Sequence, residues 1–215
     1  MNNKKFFKSS EANNWFQENY AHLEKKGESK PISLLVDWLT PFKDEIENIL
    51  ELGCGTGHKI VELTKKLKSK GFGVDPSSDA VEYISKNFPN INIELGFGDK
   101  IPFDKKFDLV HLGFYLYLVD REYYLSCISE ADKSVKDGGF LSIIDFETPF
   151  PYSKKYKDKD NVFSHKQNNS DVFVSSGLYT IINKFHFSRK NFFFDKNIDE
   201  RVSLTLLYKE NKIFK

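Results

Sequence analysis

The sequence predicts one α/β domain, a three-layer sandwich in which helices cover both faces of a mostly parallel seven-stranded sheet. Between residues 29 and 146, short apolar runs typical of buried strands alternate with helical periodicity, as expected for parallel strands joined by crossover helices. Two further β-like runs, Leu178 to Phe187 and Arg201 to Tyr208, have only residues 188–200 between them. Because this connection is too short for a crossover helix, we expect an antiparallel pair at the C-terminal edge of the sheet.

The five parallel strands and the helices between them follow from apolar spacing and from residues that begin or end helices. We predict strands over Asn48–Leu52, Gly71–Val74, Ile91–Leu95, Phe107–Leu112 and Phe140–Phe146. We predict helices over Ser29–Leu39 with Ser29 as cap, from Gly57 to a left-handed end at Gly71, over Asp79–Phe88 before Pro89, and from the cap Asp120 to Val135. The apolar stripe of the last helix is Tyr124, Leu125, Ile128, Ala131 and Val135, and the turn Asp137-Gly138-Gly139 ends it.

Composition excludes several classes of protein. The 215 residues include 32 Lys and Arg against 31 Asp and Glu, a formal net charge of +1. Because no large uniform field is available to hold a polyanion, general nucleic-acid binding is disfavoured. The two cysteines, Cys54 and Cys127, indicate neither a disulfide framework nor a metal site, which favours a reducing cytoplasm. The first residues lack the apolar core of a signal peptide, and no apolar run is long enough for a membrane span.

A glycine-rich segment, ILELGCGTG at residues 49–57, ends the first strand and opens a helix. Glycines at 53, 55 and 57 allow a tight turn and a close backbone approach to a ligand. A dinucleotide fingerprint would need a further glycine at the position of His58. Asp75 ends the second strand, 22 positions after Gly53, close to the offset at which an acid receives ribose hydroxyls. Each feature has an alternative interpretation. The glycines form only a turn in some other α/β protein, and Asp75 or Ser77 serves only as a helix cap.

These segments resemble the motifs of the class I S-adenosylmethionine-dependent methyltransferases, which have a Rossmann-like fold. ELGCGTG is similar to the first motif, GVDPSSDAV to the second, GFGDKIPF to the segment that binds the adenine amine, and FDLVHLGFYLYLVDRE to the fourth strand and its loop. The resemblance covers residues 48–146 and implies S-adenosyl-L-methionine as cofactor, with S-adenosyl-L-homocysteine as product. The cofactor-binding residues that it implies are Glu51, Gly53, Cys54, Gly55, Gly57, Asp75, Pro76, Ser77, Gly98, Asp99, Lys100, Leu112, Gly113 and Phe114.

The resemblance also divides the single domain, residues 1–215, into four parts. Residues 1–45 hold N-terminal helices, of which the first, capped by Ser9 or Ser10, carries Trp15, Phe16 and Tyr20 on one side. In the family such a helix forms a lid over the cofactor, although simple packing on the sheet is an equal alternative. Residues 48–146 form the cofactor-binding core, residues 147–177 an insertion on the acceptor side, and residues 178–215 the edge strands.

Departures from the family limit the choice of acceptor. The Asn-Pro-Pro-Tyr tetrad of adenine, cytosine and glutamine amide methylation does not follow the fourth strand, and paired cysteines for carbon methylation of pyrimidines are missing. Methyl transfer is an in-line displacement, and only removal of a proton from the acceptor requires a titrating residue. His165, Tyr117 and Glu147 are our candidates, because they follow strands whose ends collect ligands in such sheets. We expect no metal, and we interpret His111 as a packed core residue.

The acceptor is expected to be a small molecule. Five lysines interleaved with aromatic residues between 151 and 166 suit an anionic acceptor, although a charge run of this kind is usually just a solvated loop. The leading hypothesis is methylation of oxygen or nitrogen, with a nicotinamide oxidoreductase, a binding protein without turnover and a macromolecular acceptor as alternatives. The lysines are Lys154, Lys155, Lys157, Lys159 and Lys166, against Asp158 and Asp160.

Overall fold

The computed structural model describes residues 11–24, 29–156 and 162–211. The helices are α1 (Glu11–Glu24), α2 (Lys30–Leu39), α3 (His58–Leu67), α4 (Ser78–Asn87), α5 (Arg121–Ser134) and α6 (Asp171–Ser175), with 3-10 turns at Thr40–Glu45 and Leu116–Leu118. The strands are β1 (Asn48–Leu52), β2 (Lys70–Asp75), β3 (Ile91–Leu95), β4 (Phe107–Gly113), β5 (Val135–Phe146), β6 (Tyr152–Lys155), β7 (Phe163–Lys166), β8 (Tyr179–Ser188) and β9 (Arg201–Lys209). None of these helices is long and apolar enough to cross a membrane. Ser9, Ser10, Lys157, Asp158, Lys159 and Asp160 lie outside the described residues.

A seven-stranded sheet organises the chain, with the strand order β3-β2-β1-β4-β5-β9-β8. Strands β1 to β5 pair in parallel. Strand β9 runs antiparallel to β5, and β8 runs antiparallel to β9. The predicted fold, a mostly parallel sheet with an antiparallel C-terminal edge, is therefore confirmed. The strand order reverses between β1 and β4, which opens a crevice at the carboxyl ends of these strands.

Apolar side chains fill the space on both faces of the sheet. Neighbouring residues of one strand point to opposite faces, so Ile49 packs on one side and Leu50 on the other. The face of Ile49 is covered by α2, α3 and α4, and the face of Leu50 by α5. The three layers predicted from the alternation of strands and helices are present.

The end of α3 differs from the prediction. Helix α3 ends at Leu67, and Lys68 adopts the left-handed conformation with φ 58° and ψ 40°. Gly71, predicted both to end this helix and to begin the second strand, lies within β2 opposite Ile49. Its place in the strand was predicted correctly, and its role as the helix end was wrong. Close packing against Ile91 leaves no room for a side chain at Gly71, so its place in the strand accounts for this glycine.

Helix α5 and strand β5 also depart from the prediction. Leu125, placed in the buried stripe, is exposed, because it is one residue away from the buried Tyr124 and points about 100° around the helix. Strand β5 begins at Val135, so Gly138 and Gly139 lie inside the strand and not in a turn before it. The pairing with β4 shifts register between Phe107 and Leu109, which accommodates the extra residues as an irregularity in the ladder.

The segment after β5 forms a separate two-stranded hairpin, in which β6 pairs antiparallel with β7. The hairpin lies beside the turn that follows β4. The rings of Tyr156 and Tyr117 are 6.3 Å apart between centroids, and the Lys166 ammonium is 4.1 Å from the centre of the Phe146 ring. The part of the chain between the fifth strand and the edge strands therefore covers the carboxyl edge of the sheet.

Replacement of Lys68 by glycine is expected to stabilise the protein by about 1 kcal/mol, because glycine adopts the left-handed conformation without steric cost. Lys65 is exposed inside α3, and Lys65→Gly should destabilise by about the same amount. Thermal unfolding of the two variants checks this pair. Equal melting temperatures would contradict the assignment of Lys68 as the end of the helix.

Candidate active site

A cleft opens where the strand order reverses. The loops after β1, β2, β3 and β4 surround it, and α1 lies across it. The space between its walls, including its opening to solvent, is about 860 Å³. Its walls are mainly apolar. The lining residues are Ala12, Trp15, Gly53, Gly55, Val74, Asp75, Pro76, Gly96, Phe97, Gly98, Asp99, Phe114, Tyr115, Leu118, Val119, Asp120, Tyr123 and Cys127.

The glycine-rich loop forms one wall through its backbone. Gly53 has φ +73°, a conformation that residues with a side chain rarely adopt. Its N–H donates to the carbonyl of Val74 at 2.8 Å, which joins the ends of β1 and β2. A Cβ atom at this position would lie 3.0 Å from the Tyr115 ring. The loop is therefore glycine-rich because its turn and its approach to Tyr115 both exclude a side chain.

Asp75 joins two loops of the cleft. One carboxylate oxygen accepts the N–H of Gly55 at 2.7 Å, and the other accepts the N–H of Ser77 at 2.9 Å. Burial raises the pKa of Asp75, while these two hydrogen bonds oppose the rise. Each carboxylate oxygen has a further lone pair, and the residue lines the cleft. Asp75 is thus placed to accept two ligand hydroxyls.

The turn after β4 brings aromatic side chains into the cleft. Phe114 has φ +55° although it is not glycine, and its N–H donates to the carbonyl of Ile144 at 2.6 Å. Tyr115 follows, and its hydroxyl lies 3.3 Å from the Cys127 sulfur. A Cβ atom on Gly98 would lie only 2.3 Å from that hydroxyl. Strained backbone of this kind occurs mainly at functional sites, and here it directs Phe114 and Tyr115 into the cleft.

Helix α1 is attached to both sides of the cleft. The Trp15 indole N–H donates to the Tyr156 hydroxyl at 2.9 Å, and Trp15 lines the cleft. On the other side, the Asn13 amide oxygen accepts the Ser77 hydroxyl at 2.9 Å. The buried Phe16 and its neighbour Tyr20 pack on Tyr83 of α4. The packing alternative holds for Phe16 and Tyr20, whereas a lid role for this helix stays a prediction.

Seven of the fourteen predicted cofactor residues line the cleft: Gly53, Gly55, Asp75, Pro76, Gly98, Asp99 and Phe114. The other seven, Glu51, Cys54, Gly57, Ser77, Lys100, Leu112 and Gly113, are not among its lining residues. Several of these support the wall from behind. Glu51 is fully buried and pairs with Lys59 at 2.9 Å, and Ser77 caps α4 by accepting the Ala80 N–H at 3.1 Å.

The three predicted catalytic residues lie beyond the cleft wall. Tyr117 is buried behind Phe114, and burial raises the pKa of its hydroxyl. Glu147 binds Lys184 at 2.7 Å and His186 at 2.9 Å. His165 lies in β7, where its Nδ1 atom is 2.7 Å from the Ser153 hydroxyl. A catalytic role for these residues stays a prediction.

His111 is a core residue in this structure, as the sequence indicated. Its Nδ1 atom lies 2.7 Å from the Ser142 hydroxyl in the middle of the sheet. Burial lowers the pKa of His111 to about 3, so the ring is neutral at physiological pH. Its Nε2 atom has no hydrogen-bond partner among the described residues.

Asp145 holds the turn after β4 in place. Its carboxylate accepts the N–H of Tyr117 at 3.1 Å and that of Phe146 at 2.8 Å. Burial raises the pKa of Asp145 to about 7. This residue, at the end of β5, therefore positions the turn that carries Phe114 and Tyr115.

Fold and site together define an α/β domain with a mainly apolar cleft where the strand order reverses. Residues 49–139 match the family model described as a methyltransferase domain. An uncharacterized methyltransferase of Staphylococcus carnosus is 37% identical over 112 residues, 51% of this chain and 50% of that protein. A demethylmenaquinone methyltransferase of Chlorobaculum parvum is 32% identical over 98 residues, 45% of this chain and 40% of that protein. The chain thus spans half or less of the length of these curated relatives.

Solved structures agree in fold. A 1,6-didemethyltoxoflavin-N1-methyltransferase of Burkholderia thailandensis, bound to S-adenosylhomocysteine, has a TM-score of 0.68 at 10% identity and covers 93% of this chain and 87% of its own. The N-methyltransferase NodS of Bradyrhizobium japonicum, also with S-adenosylhomocysteine, has a TM-score of 0.59 at 15% identity, covering 85% and 89%. Residues 49–139 thus match the methyltransferase family that the sequence motifs predicted, and the solved structures share its fold.

Replacement of Gly53 by alanine is expected to weaken S-adenosylhomocysteine binding at least about tenfold, because the new methyl group displaces Tyr115. Gly177 has nearly the same φ, +74°, but open space around it. Gly177→Ala should lower the free energy of unfolding by about as much as Gly53→Ala does, about 1–2 kcal/mol, without loss of affinity for S-adenosylhomocysteine. Calorimetric titration with thermal unfolding separates the two effects, and equal loss of affinity in both variants would contradict the role given to Gly53.

The free energy of unfolding is expected to fall as pH rises from about 4 to about 7, by up to about 1.4 kcal/mol per pH unit from Asp145. The reason is that the buried carboxyl keeps its proton in this range, whereas the unfolded chain releases it. Asp145→Asn should make this slope shallower, while the raised pKa values of Asp75 and Glu51 leave a remainder of the same sign. Asp137→Asn, an exposed control, should keep the full slope. Denaturant unfolding at several pH values measures the slope, and an unchanged slope in Asp145→Asn would contradict the role given to Asp145.

Proposed function

We propose that the chain transfers a methyl group from S-adenosylmethionine to an oxygen or nitrogen of a small molecule by direct in-line displacement. The observation that carries this proposal is Asp75, a buried carboxylate that fixes the glycine-rich loop and lines the cleft next to it. The family of residues 49–139 gives the reaction class.

The residues of the cleft fit the proposed cofactor. Asp75 would hold the ribose hydroxyls, and Asp99 the adenine amine. The backbone at Gly53 and Gly55 leaves room for the methionine part, where a side chain would collide. Among the described residues that line the cleft, the charged ones are all acidic: Asp75, Asp99 and Asp120. A negative cleft suits a ligand with positive charge.

When bound, S-adenosylmethionine supplies an electrophilic methyl group on a positively charged sulfur. The chain's own residues orient the acceptor and exclude water. Trp15 and Phe114 offer aromatic faces that favour a nearby cation. An acceptor with a free lone pair needs no base before the displacement. If a proton is removed, Tyr117, Glu147 and His165 remain our proposed candidates.

A small-molecule acceptor is supported by the names of the similar proteins. They include a quinone methyltransferase and N-methyltransferases of small molecules, although one curated relative is a ribosomal RNA methyltransferase. The lysines suited to an anionic acceptor are partly neutralised, since Lys154 and Lys166 both bind Asp199, at 2.7 and 3.1 Å. Lys154 and Lys166 are therefore less available to an anionic acceptor than the sequence suggested.

Replacement of Asp75 by asparagine should weaken binding of S-adenosylhomocysteine at least about tenfold, because the amide cannot accept the same hydrogen bonds. Calorimetric titration measures the affinity, and Asp104→Asn, an exposed carboxylate on the neighbouring loop, should bind as the unchanged protein does. A titration with NAD should show no binding. Folded protein that binds NAD instead of S-adenosylhomocysteine would overturn the proposal.

Turnover is tested with S-adenosylmethionine labelled in its methyl group and a fractionated cell extract. Label in the small-molecule fraction supports the proposal, and its loss with Asp75→Asn ties the transfer to this site. Tight cofactor binding without any transfer would favour a binding protein without turnover. Label found only in RNA or protein would replace the small-molecule acceptor with a macromolecular one.

A further inference from the structure

Exposed large apolar side chains are concentrated in two segments of the chain, one after β5 and one after β8. Four of the seven in the described part of the chain are phenylalanines of these segments: Phe150, Phe163, Phe193 and Phe194. Phe193 is 77% exposed and Phe194, its neighbour, 59%. The other three, Leu95, Leu125 and Ile181, belong to separate strands and helices. Grouped exposed aromatic residues of this kind mark interaction sites more often than isolated ones do.

The segments that carry these phenylalanines lie at the same edge of the sheet as the cleft. The loop of residues 189–200 joins β8 to β9, and Val202, at the start of β9, lies opposite Phe146, the last residue of β5. Asp199 of this loop ties it to the β6–β7 hairpin by accepting hydrogen bonds from Tyr152 and Lys154, both at 2.7 Å. We name residues 150–155, 163–166 and 189–200 together the aromatic rim.

Basic groups of the aromatic rim point outward, while their acidic partners are recessed. The side chain of Arg189 is 57% exposed and that of its partner Glu200 only 14%. Lys190, 66% exposed, pairs with the same Glu200. Lys154 is also more exposed than its partner Asp199. The outer layer of the rim is therefore formed by cations and phenylalanine rings.

We propose that the aromatic rim binds the surface of a membrane that contains anionic lipids. Exposed aromatic rings enter the boundary between headgroups and acyl chains, and neighbouring lysine and arginine side chains contact lipid phosphates. Both components are present here, on a loop and a hairpin that project beyond the sheet. This attachment is peripheral and needs no membrane-spanning helix. Membrane binding does not depend on methyl transfer, so it stands or falls separately from the proposed function.

Co-sedimentation with vesicles tests the proposal. The protein should bind vesicles of phosphatidylcholine mixed equally with phosphatidylglycerol, and bind pure phosphatidylcholine more weakly. Phe193→Ser combined with Phe194→Ser should weaken binding at least about tenfold, because two apolar rings no longer leave water on binding. Leu125→Ser, a control at a similarly exposed apolar position on α5, should bind as the unchanged protein does.

The dependence of vesicle binding on salt and on a single lysine is a second measurement. Salt near 1 M, which reduces the Debye length to about 3 Å, should release the protein from the mixed vesicles. Lys190→Gln should weaken binding to the mixed vesicles and leave S-adenosylhomocysteine affinity unchanged. No binding of the unchanged protein to either vesicle would overturn the proposal, as would full binding by the phenylalanine variant. A dimer in solution that Phe193→Ser dissolves would likewise overturn it, in favour of a second copy of this chain.

Discussion

The site depends on one buried carboxylate. Asp75 accepts the N–H of Gly55 from the loop after β1 and the N–H of Ser77 from the start of α4. Because the carboxylate is removed from water, these bonds must offset the cost of its burial. The result is that two loops from neighbouring strands have fixed positions relative to each other before any ligand arrives. A preformed arrangement reduces the ordering cost of binding.

The second half of the site depends on the turn after β4. Asp145 and the carbonyl of Ile144 hold this turn from the end of β5, through the N–H groups of Tyr117 and Phe114. The two carboxylates thus perform related tasks on opposite sides of the cleft. Asp75 connects β1 to β2, and Asp145 connects β4 to β5. Both act through backbone N–H groups, so their effect on geometry reaches residues that they do not contact themselves.

The parallel strands and the glycine-rich wall were predictable because their signals are local. Asp75 stands at a fixed offset from Gly53, and a buried strand followed by glycines has few alternative structures. Leu125 was wrongly placed because adjacent apolar residues leave the face of a helix ambiguous. Cys127 reaches the cleft from α5, a helix distant in sequence from the glycine-rich loop. Its contribution arises from packing between elements, for which a single sequence contains no local signal. Trp15, in contrast, lies on a helix that the family resemblance had already offered as a lid.

Tyr115 links the two glycine segments through shared volume. Its ring occupies the space that side chains at Gly53 and Gly98 would need, so the three positions cannot vary independently. A related protein that gains a side chain at position 98 must carry a smaller residue at 115, or shift the turn that holds it. In evolutionary terms, the expected signature is correlated substitution at positions far apart in sequence. A shift of the turn is the less favourable of these two changes, because the strained backbone at Phe114 would then lose its attachment to β5.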